Sequence, residues 1–224
     1  MSRNHRKPGD NAVQNKGRSG PSRGRNEVRI IGGRWRGRKI HFPAGPDIRP
    51  SPDRVRETLF NWLSPSIPGA RCLDLFAGTG VLGFEALSRG AARCVLIDRE
   101  PEVVRHLERL SAELAPDGAA VRRADAIAWL DGPPQAFDIV FVDPPFGEGL
   151  LPAILKRLAR PGWLVPGALV YLECRAADGE PVLPAGWRLH RSGRAGEVGY
   201  HLAVGPANPV PDSLSGGAAG QTGG

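Results

Sequence analysis

The sequence predicts an α/β fold, a mostly parallel sheet covered by helices on both faces with an antiparallel strand at its end. Three observations lead there. From residue 70 onward, short apolar runs alternate with segments of helical spacing, the pattern of strands joined by crossover helices. After residue 174 two further runs, 187–191 and 197–204, follow with no helix between them, which suits a terminal antiparallel pair. Before residue 70 a glycine-broken segment and one helix stand outside the alternation, as a small N-terminal addition.

Each element has its own warrant. In 28–42, VRIIGGRWRGRKIHF, Gly32, Gly33 and Gly37 break short apolar runs, which predicts a β-hairpin. Ser51-Pro52-Asp53 offers an N-cap, a proline at the first helical position and an early acid. Val55, Leu59, Trp62 and Leu63 then share one face, so 52–63 is a helix. Strands follow at 70–76, 92–98, 119–125, 137–143 and 168–174. Between them lie a helix over 81–90 closed by Gly90, and one opened by Pro101 with Val103, Leu107, Leu110 and Leu114 on one face. A short helix over 126–131 and one over 148–159, through Leu151, Ile154, Leu155 and Leu158, complete the alternation.

The chain has 224 residues, 41% of them hydrophobic, enough for one real core. No window is apolar for the 18 residues that a spanning helix needs, and the first twenty residues lack the apolar stretch of a secretory signal. Pro8, Gly9, Gly17, Gly20 and Pro21 forbid the amphipathic helix of a mitochondrial presequence. Cys72, Cys94 and Cys174 lie far apart among apolar residues, which argues against a disulfide framework or a metal site and for a reducing, cytoplasmic setting. The net charge of +7 is unevenly placed: residues 1–57 carry 15 Lys and Arg against 5 Asp and Glu, the remainder 15 against 18. A basic front on a neutral-to-acidic body points to a polyanionic partner, with a solubilising tail as the plainer account. Residues 1–27 and 206–224, rich in Gly, Pro and Ser, are expected to be disordered tails. They flank an N-terminal hairpin and helix (28–66) and a main domain (67–205).

In an open α/β sheet, ligands bind outside the carboxyl ends of the strands. The first strand of the main domain ends in Asp74-Leu75-Phe76-Ala77-Gly78-Thr79-Gly80, a loop whose glycines let backbone approach a ligand. Gly78, Gly80 and Gly83 also fit the dinucleotide fingerprint, so a nicotinamide or flavin enzyme stays open. Asp74 favours another ligand: a carboxylate there repels a pyrophosphate but suits an ammonium or sulfonium, and S-adenosyl-L-methionine carries both. The second strand ends in Asp98, placed to accept from ribose hydroxyls in either class. The third ends in Asp125-Ala126, where the acid can accept from an adenine amine, cap the next helix, or do both.

The fourth ends in Asp143-Pro144-Pro145-Phe146, the most specific signal in the chain. Prolines fix the backbone, so the Asp143 carboxylate and the Pro144 carbonyl become two rigid acceptors for the two hydrogens of one exocyclic amine. Phe146 offers a face on which a base can stack. Held so, the amine nitrogen directs its lone pair at an electrophilic methyl, which is catalysis by positioning and needs no metal.

Together DLFAGTG, LID, RAD and DPPF resemble the class I, Rossmann-like S-adenosylmethionine-dependent methyltransferases that methylate amino groups of bases. RIIGGRWRGRKI, RPSPDRVRETLFNWL and CLDLFAGTGVLGFEALSRGA, with RAGEVGYHL near the end, resemble the bacterial small-subunit 16S rRNA guanine-N2 methyltransferases. The resemblance implies a seven-stranded sheet with the last strand antiparallel, and one methyl transferred to a guanine N2 amine of 16S rRNA, in a partly or fully assembled subunit. It assigns the target base to Asp143, Pro144 and Phe146. The cofactor falls to Asp74, Ala77, Gly78, Thr79, Gly80, Asp98, Asp125 and Ala126. Family members often carry Glu at the ribose position and Asn at the adenine side, where this chain has Asp98 and Asp125.

Arg34, Arg36 and Arg38 around Trp35, with Arg49, Arg54 and Arg56 before or on the first helix, are the expected RNA contacts. Their alternatives are a solvated helix face, with Arg56 paired to Asp53 or Glu57, and a core role for Trp35. The competing functions are an amino-methyltransferase of DNA or protein, an NAD-linked oxidoreductase, and a silent RNA-binding assembly factor. A monomer is expected, with no membrane association.

Overall fold

The computed structural model describes residues 26–42 and 51–207. The two expected tails lie almost wholly outside that range, and Arg49 lies outside it too. Two strands, β1 (Glu27–Arg29) and β2 (Lys39–His41), pair antiparallel around a connection that includes a 3-10 turn at Gly33–Trp35. Helix α1 (Asp53–Leu63) follows. The main sheet then alternates as expected: β3 (Arg71–Asp74), α2 (Val81–Ser88), β4 (Arg93–Asp98), α3 (Pro101–Leu114), β5 (Ala119–Arg123), α4 (Ala126–Leu130), β6 (Phe137–Val142), α5 (Leu151–Leu158) and β7 (Leu164–Arg175). It closes with β8 (Arg188–Ala195) and β9 (Val198–Val204).

The seven strands lie in the order β5-β4-β3-β6-β7-β9-β8. The first five run parallel, and β9 is antiparallel to both of its neighbours. The last strand therefore enters between β7 and β8 instead of adding to an edge. Neighbouring residues on the central strands belong to two different cores, which is why those strands read as unbroken apolar runs. Cys72, Leu96, Ile139, Phe141 and Tyr171 face a core shared with α1, α2 and α3. Leu73, Ile97, Val140, Val142, Val170 and Leu172 face the core beneath α4 and α5.

The differences from expectation are local. Strand β7 starts four residues early because Pro166-Gly167, which reads as a breaker, sits at a register shift between the Phe137–Leu164 and Ile139–Leu169 pairings. Helix α5 starts three residues late, after a turn in which Gly147 and Gly149 take φ of +102° and +62°. Ser51 is not an N-cap; its hydroxyl points into the sheet.

The N-terminal hairpin is clamped to α2 by buried polar groups. Glu85, fully buried in α2, accepts from the Ile31 and Gly32 amides, both at 2.7 Å, and from Arg89 Nε at 2.7 Å. Ser88 Oγ donates to the Gly32 carbonyl (2.6 Å) and accepts from the Trp35 amide (2.9 Å). Gly33 has φ +74° and lies so close to the Ser88 carbonyl that any side chain would overlap it.

Candidate active site

The site grows out of strand alternation. Side chains two apart share a face of a sheet. Leu96, Cys72, Phe141 and Tyr171 all face the α1–α3 core, so Asp98, Asp74, Asp143 and Glu173, each two residues further on, emerge on that same face. They do so at the carboxyl ends of four adjacent strands, β4, β3, β6 and β7. Strands lie about 4.8 Å apart, so this is a continuous row of carboxylates. None of the four has an ion pair to Lys or Arg among the described residues.

Asp74 is 2% exposed and accepts from the Gly83 amide at 3.2 Å. Burial pushes its carboxyl from the ordinary 3.8 up to about 7, against the pull of the Gly83 and Phe76 amides and with a further push from Asp98. Asp98 accepts from the Gly78 amide on one oxygen (2.9 Å) and from the Glu100 amide on the other (2.9 Å). Burial still raises it, with those two amides opposing. Each oxygen retains a second lone pair, enough for two hydroxyl donors.

Between them runs the loop Ala77 to Gly80. The Ala77 amide is fixed on the Ile97 carbonyl at 2.9 Å, and Thr79 Oγ1 accepts from the Val81 amide at 3.3 Å. Gly78 has φ +50° and open space where a Cβ would stand, so backbone is free to meet a ligand. Gly83 serves packing, since a Cβ there would come within 2.9 Å of Cys94 Sγ and Leu96. Asp125 is exposed and caps α4 through the Ala128 amide at 2.9 Å; Ala126 beside it is buried. This donor set, a buried acid, an open glycine loop and a ribose-type acid, fits a cationic nucleoside.

Asp143 directly follows β6 and Pro144 is buried behind it, while Phe146 stands 42% exposed. Burial raises the Asp143 carboxyl well above the usual range, and Glu173 and then Asp74 raise it further. Glu173 is the residue that sequence reasoning missed. It is 3% exposed at the end of β7 and accepts on one oxygen from Ser51 Oγ (2.6 Å) and Tyr171 OH (2.7 Å). Its signal was present: an acid near the end of the apolar run ALVYLEC, on the fifth parallel strand. A second missed contact is the exposed pair between Arg99 and Glu148 (3.3 Å), which links the residue after Asp98 to the loop after Phe146.

The basic residues fare differently. Arg34, Trp35, Arg36 and Arg38 do not adjoin this row. The Trp35 amide in their midst donates to Ser88, the last residue of α2, whereas the cofactor loop precedes its first. Eight helical residues separate the two by about 12 Å. Arg38 pairs with Glu113 near the far end of α3. Trp35 is half-buried against the core, with the Arg34 guanidinium 4.2 Å above its ring. Arg54 is exposed in the first turn of α1, three residues after Ser51, whose hydroxyl donates to Glu173.

Arg56 corrects the expectation outright. It is fully buried, donating to the Ser51 carbonyl (3.2 Å), the Arg29 carbonyl (2.9 Å) and Asp53 (2.6 Å), with Glu85 at 3.8 Å. It joins α1 to the hairpin, and its burial keeps it from a phosphate on the surface. Cys72, Cys94 and Cys174 are free thiols, and burial pushes the Cys72 thiol up to about 12, which keeps it neutral. Among the described residues no cluster of His, Cys, Asp or Glu could hold a metal, and no helix is long and apolar enough to cross a membrane.

Comparison with known proteins agrees with this architecture. Residues 28–204 match the family described as Conserved hypothetical protein 95. Ribosomal RNA small subunit methyltransferase D of Escherichia coli is 49% identical over 179 residues, spanning 80% of this chain and 90% of that protein. The protein of the same name from Haemophilus influenzae is 40% identical over 182 residues, 80% and 94% of the two chains. A solved structure, a putative methyltransferase yhhF from Escherichia coli, superposes with a TM-score of 0.76 at 47% identity, covering 81% of this chain and 99% of that one. The chain belongs to the Conserved hypothetical protein 95 family and, like these relatives, is a methyltransferase.

Proposed function

We propose that the protein transfers a methyl group from S-adenosyl-L-methionine to the N2 amine of one guanine in 16S rRNA, in the cytoplasm, on a partly or fully assembled small subunit. The observation that carries the reading is the unpaired carboxylate row. A ligand with two positive charges relieves it, whereas the pyrophosphate of a nicotinamide or flavin cofactor would meet Asp74 in repulsion. The cofactor supplies an electrophilic methyl on a sulfonium.

Asp74 holds the cationic end, the Gly78 loop presents backbone, and Asp98 accepts from the ribose hydroxyls. Asp125, from the edge of the cap it already makes, accepts from the adenine amine, with Ala126 packing beneath. Asp143 and the Pro144 carbonyl accept the two hydrogens of the guanine amine and direct its lone pair. The exposed ring of Phe146 stacks on the extruded base, offsetting part of the few kcal/mol that unstacking costs. Arg54 is the cation best placed to meet phosphate near the site. Arg34, Arg36 and Arg38 engage RNA further along the same particle.

Tritium transfer from labelled cofactor into small subunits, free 16S rRNA, DNA and protein separates the substrates. The expected result is label in one 16S guanine, with Asp143→Ala lowering turnover at least about 100-fold while cofactor still binds. Label confined to protein or DNA would overturn the reading.

A further inference from the structure

We propose that Glu173 acts through Asp143 as a positioning residue, so that Asp143 takes the proton that the target amine sheds on methylation. The inference rests on the function proposed above and concerns how the same site completes its chemistry.

Placement is the first support. Val142 pairs with Leu172 across β6 and β7, so the next residues, Asp143 and Glu173, stand level on adjacent parallel strands and on one face. Both lie at the reacting end of the sheet. Two carboxylates at neighbouring strand ends are costly to keep unless something fixes the charge on one of them. Here something does. Ser51 Oγ and Tyr171 OH both donate to Glu173 Oε1, at 2.6 and 2.7 Å, and favour its ionised form. No comparable donor reaches Asp143 among the described residues. Burial raises both carboxyls, but these two donors oppose the rise on Glu173 alone, so the charge favours Glu173 and Asp143 is the member of the pair with the higher affinity for a proton. The other groups facing Asp143 act in the same direction. Asp74 on β3 adds negative charge, and Tyr171 on β7 is held neutral by burial and by Glu173. Arg175, at the end of β7, places a guanidinium nitrogen 3.2 Å from where a Cβ on Gly147 would stand, and among the described residues it has no ion pair to Asp143.

The chemistry balances. The N2 lone pair forms the N–C bond, the C–S bond breaks, and its electron pair passes to sulfur, which becomes a neutral thioether. The nitrogen then carries the positive charge and one hydrogen too many. Asp143, already accepting that hydrogen, takes the proton and becomes a neutral acid. One cation and one carboxylate are consumed, and Glu173 stays ionised throughout. Before the reaction the positive cofactor favours the ionised form of Asp143; after it, Glu173 favours the protonated form. The same neighbour therefore makes Asp143 a better acceptor at the moment the proton is released.

The test compares the wild-type protein with E173Q by two readouts. One is the titration of the Asp143 carboxyl carbon by NMR in the free protein, with labelled aspartate. The other is the pH profile of methyl transfer to small subunits. In E173Q the Asp143 titration and the acid limb of the profile should both move to lower pH. The maximal rate should fall about 10- to 100-fold, with the cofactor KM within about 3-fold of wild type. The double variant S51A/Y171F keeps the carboxyl but removes its donors, and should move both readouts the same way by less. It also serves if E173Q does not fold.

An unmoved Asp143 titration overturns the proposal, even if the rate falls, since a structural role alone would then explain the loss. Unchanged turnover in E173Q overturns it equally. Should wild-type protein fail to methylate any subunit or rRNA, the functional reading fails instead, and the titration distinguishes the two failures.

Discussion

Two regions of this protein bury charge, and they do it in opposite ways. Under the N-terminal hairpin, Glu85 and Arg56 are both fully buried, and both have charged partners. Glu85 takes two backbone amides and Arg89, while Arg56 gives to two carbonyls and Asp53. At the carboxyl ends of the strands, Asp74, Asp98, Asp143 and Glu173 stand in a row with no ion pair to Lys or Arg among the described residues. The first arrangement is complete and holds the molecule together. The second is incomplete, and what it lacks has a positive charge. Burial alone does not mark a functional acid; burial without a counter-ion makes it a candidate.

The most disruptive way to break this contrast is Glu85→Ala. It would leave two hairpin amides and Arg89 without their acceptor and remove the carboxylate 3.8 Å from the buried Arg56 guanidinium, so unfolding in urea should show a loss of about 3–5 kcal/mol. A loss under 1 kcal/mol would mean that the dock is not held as described.

Asp74→Asn should do the reverse. The wild-type carboxyl titrates near 7 in the folded chain against an ordinary 3.8, so its stability contribution is present in acid and lost as pH rises through about 7. At pH 8 the asparagine variant should be more stable than wild type by up to about 3 kcal/mol, a gain that fades towards pH 4. The same variant should bind S-adenosyl-L-methionine at least about 10-fold more weakly. Equal stability at pH 8 would show that Asp74 is not held under strain.

The smallest effect belongs to the hairpin tip. Replacing Arg34, Arg36 and Arg38 with Ala should raise the KM for the subunit about 3-fold in a salt-dependent way and leave the maximal rate unchanged. A fall in the maximal rate would bring the tip back to the chemistry.

The same contrast explains what the sequence could tell. Asp74, Asp98 and Asp143 were legible because a rule about strand ends needs only the order of elements, and the order is local. Asp143-Pro144-Pro145-Phe146 was legible because prolines restrict the backbone wherever they occur. Glu173 obeys the same rule as the other acids, but its partner Ser51 lies 122 residues away and reads as an ordinary helix cap. Arg56 stands in a basic run, which suggests a surface; that it is buried depends on Glu85, in another element. The position of the hairpin tip is a matter of docking alone. Nothing in RIIGGRWRGRKI states which end of α2 it will meet, although Gly33 was the mark of a close approach.

The insertion of β9 between β7 and β8 carries a consequence for synthesis. Among the described residues, strand β8 has β9 as its only neighbour, and β7 receives its second neighbour from β9. Until Val204 has left the ribosome, the strand that carries Glu173 is an open edge and β8 has nothing to pair with. A nascent chain of this protein therefore exposes an adhesive seam in the middle of its future sheet, and only its last strand can seal it.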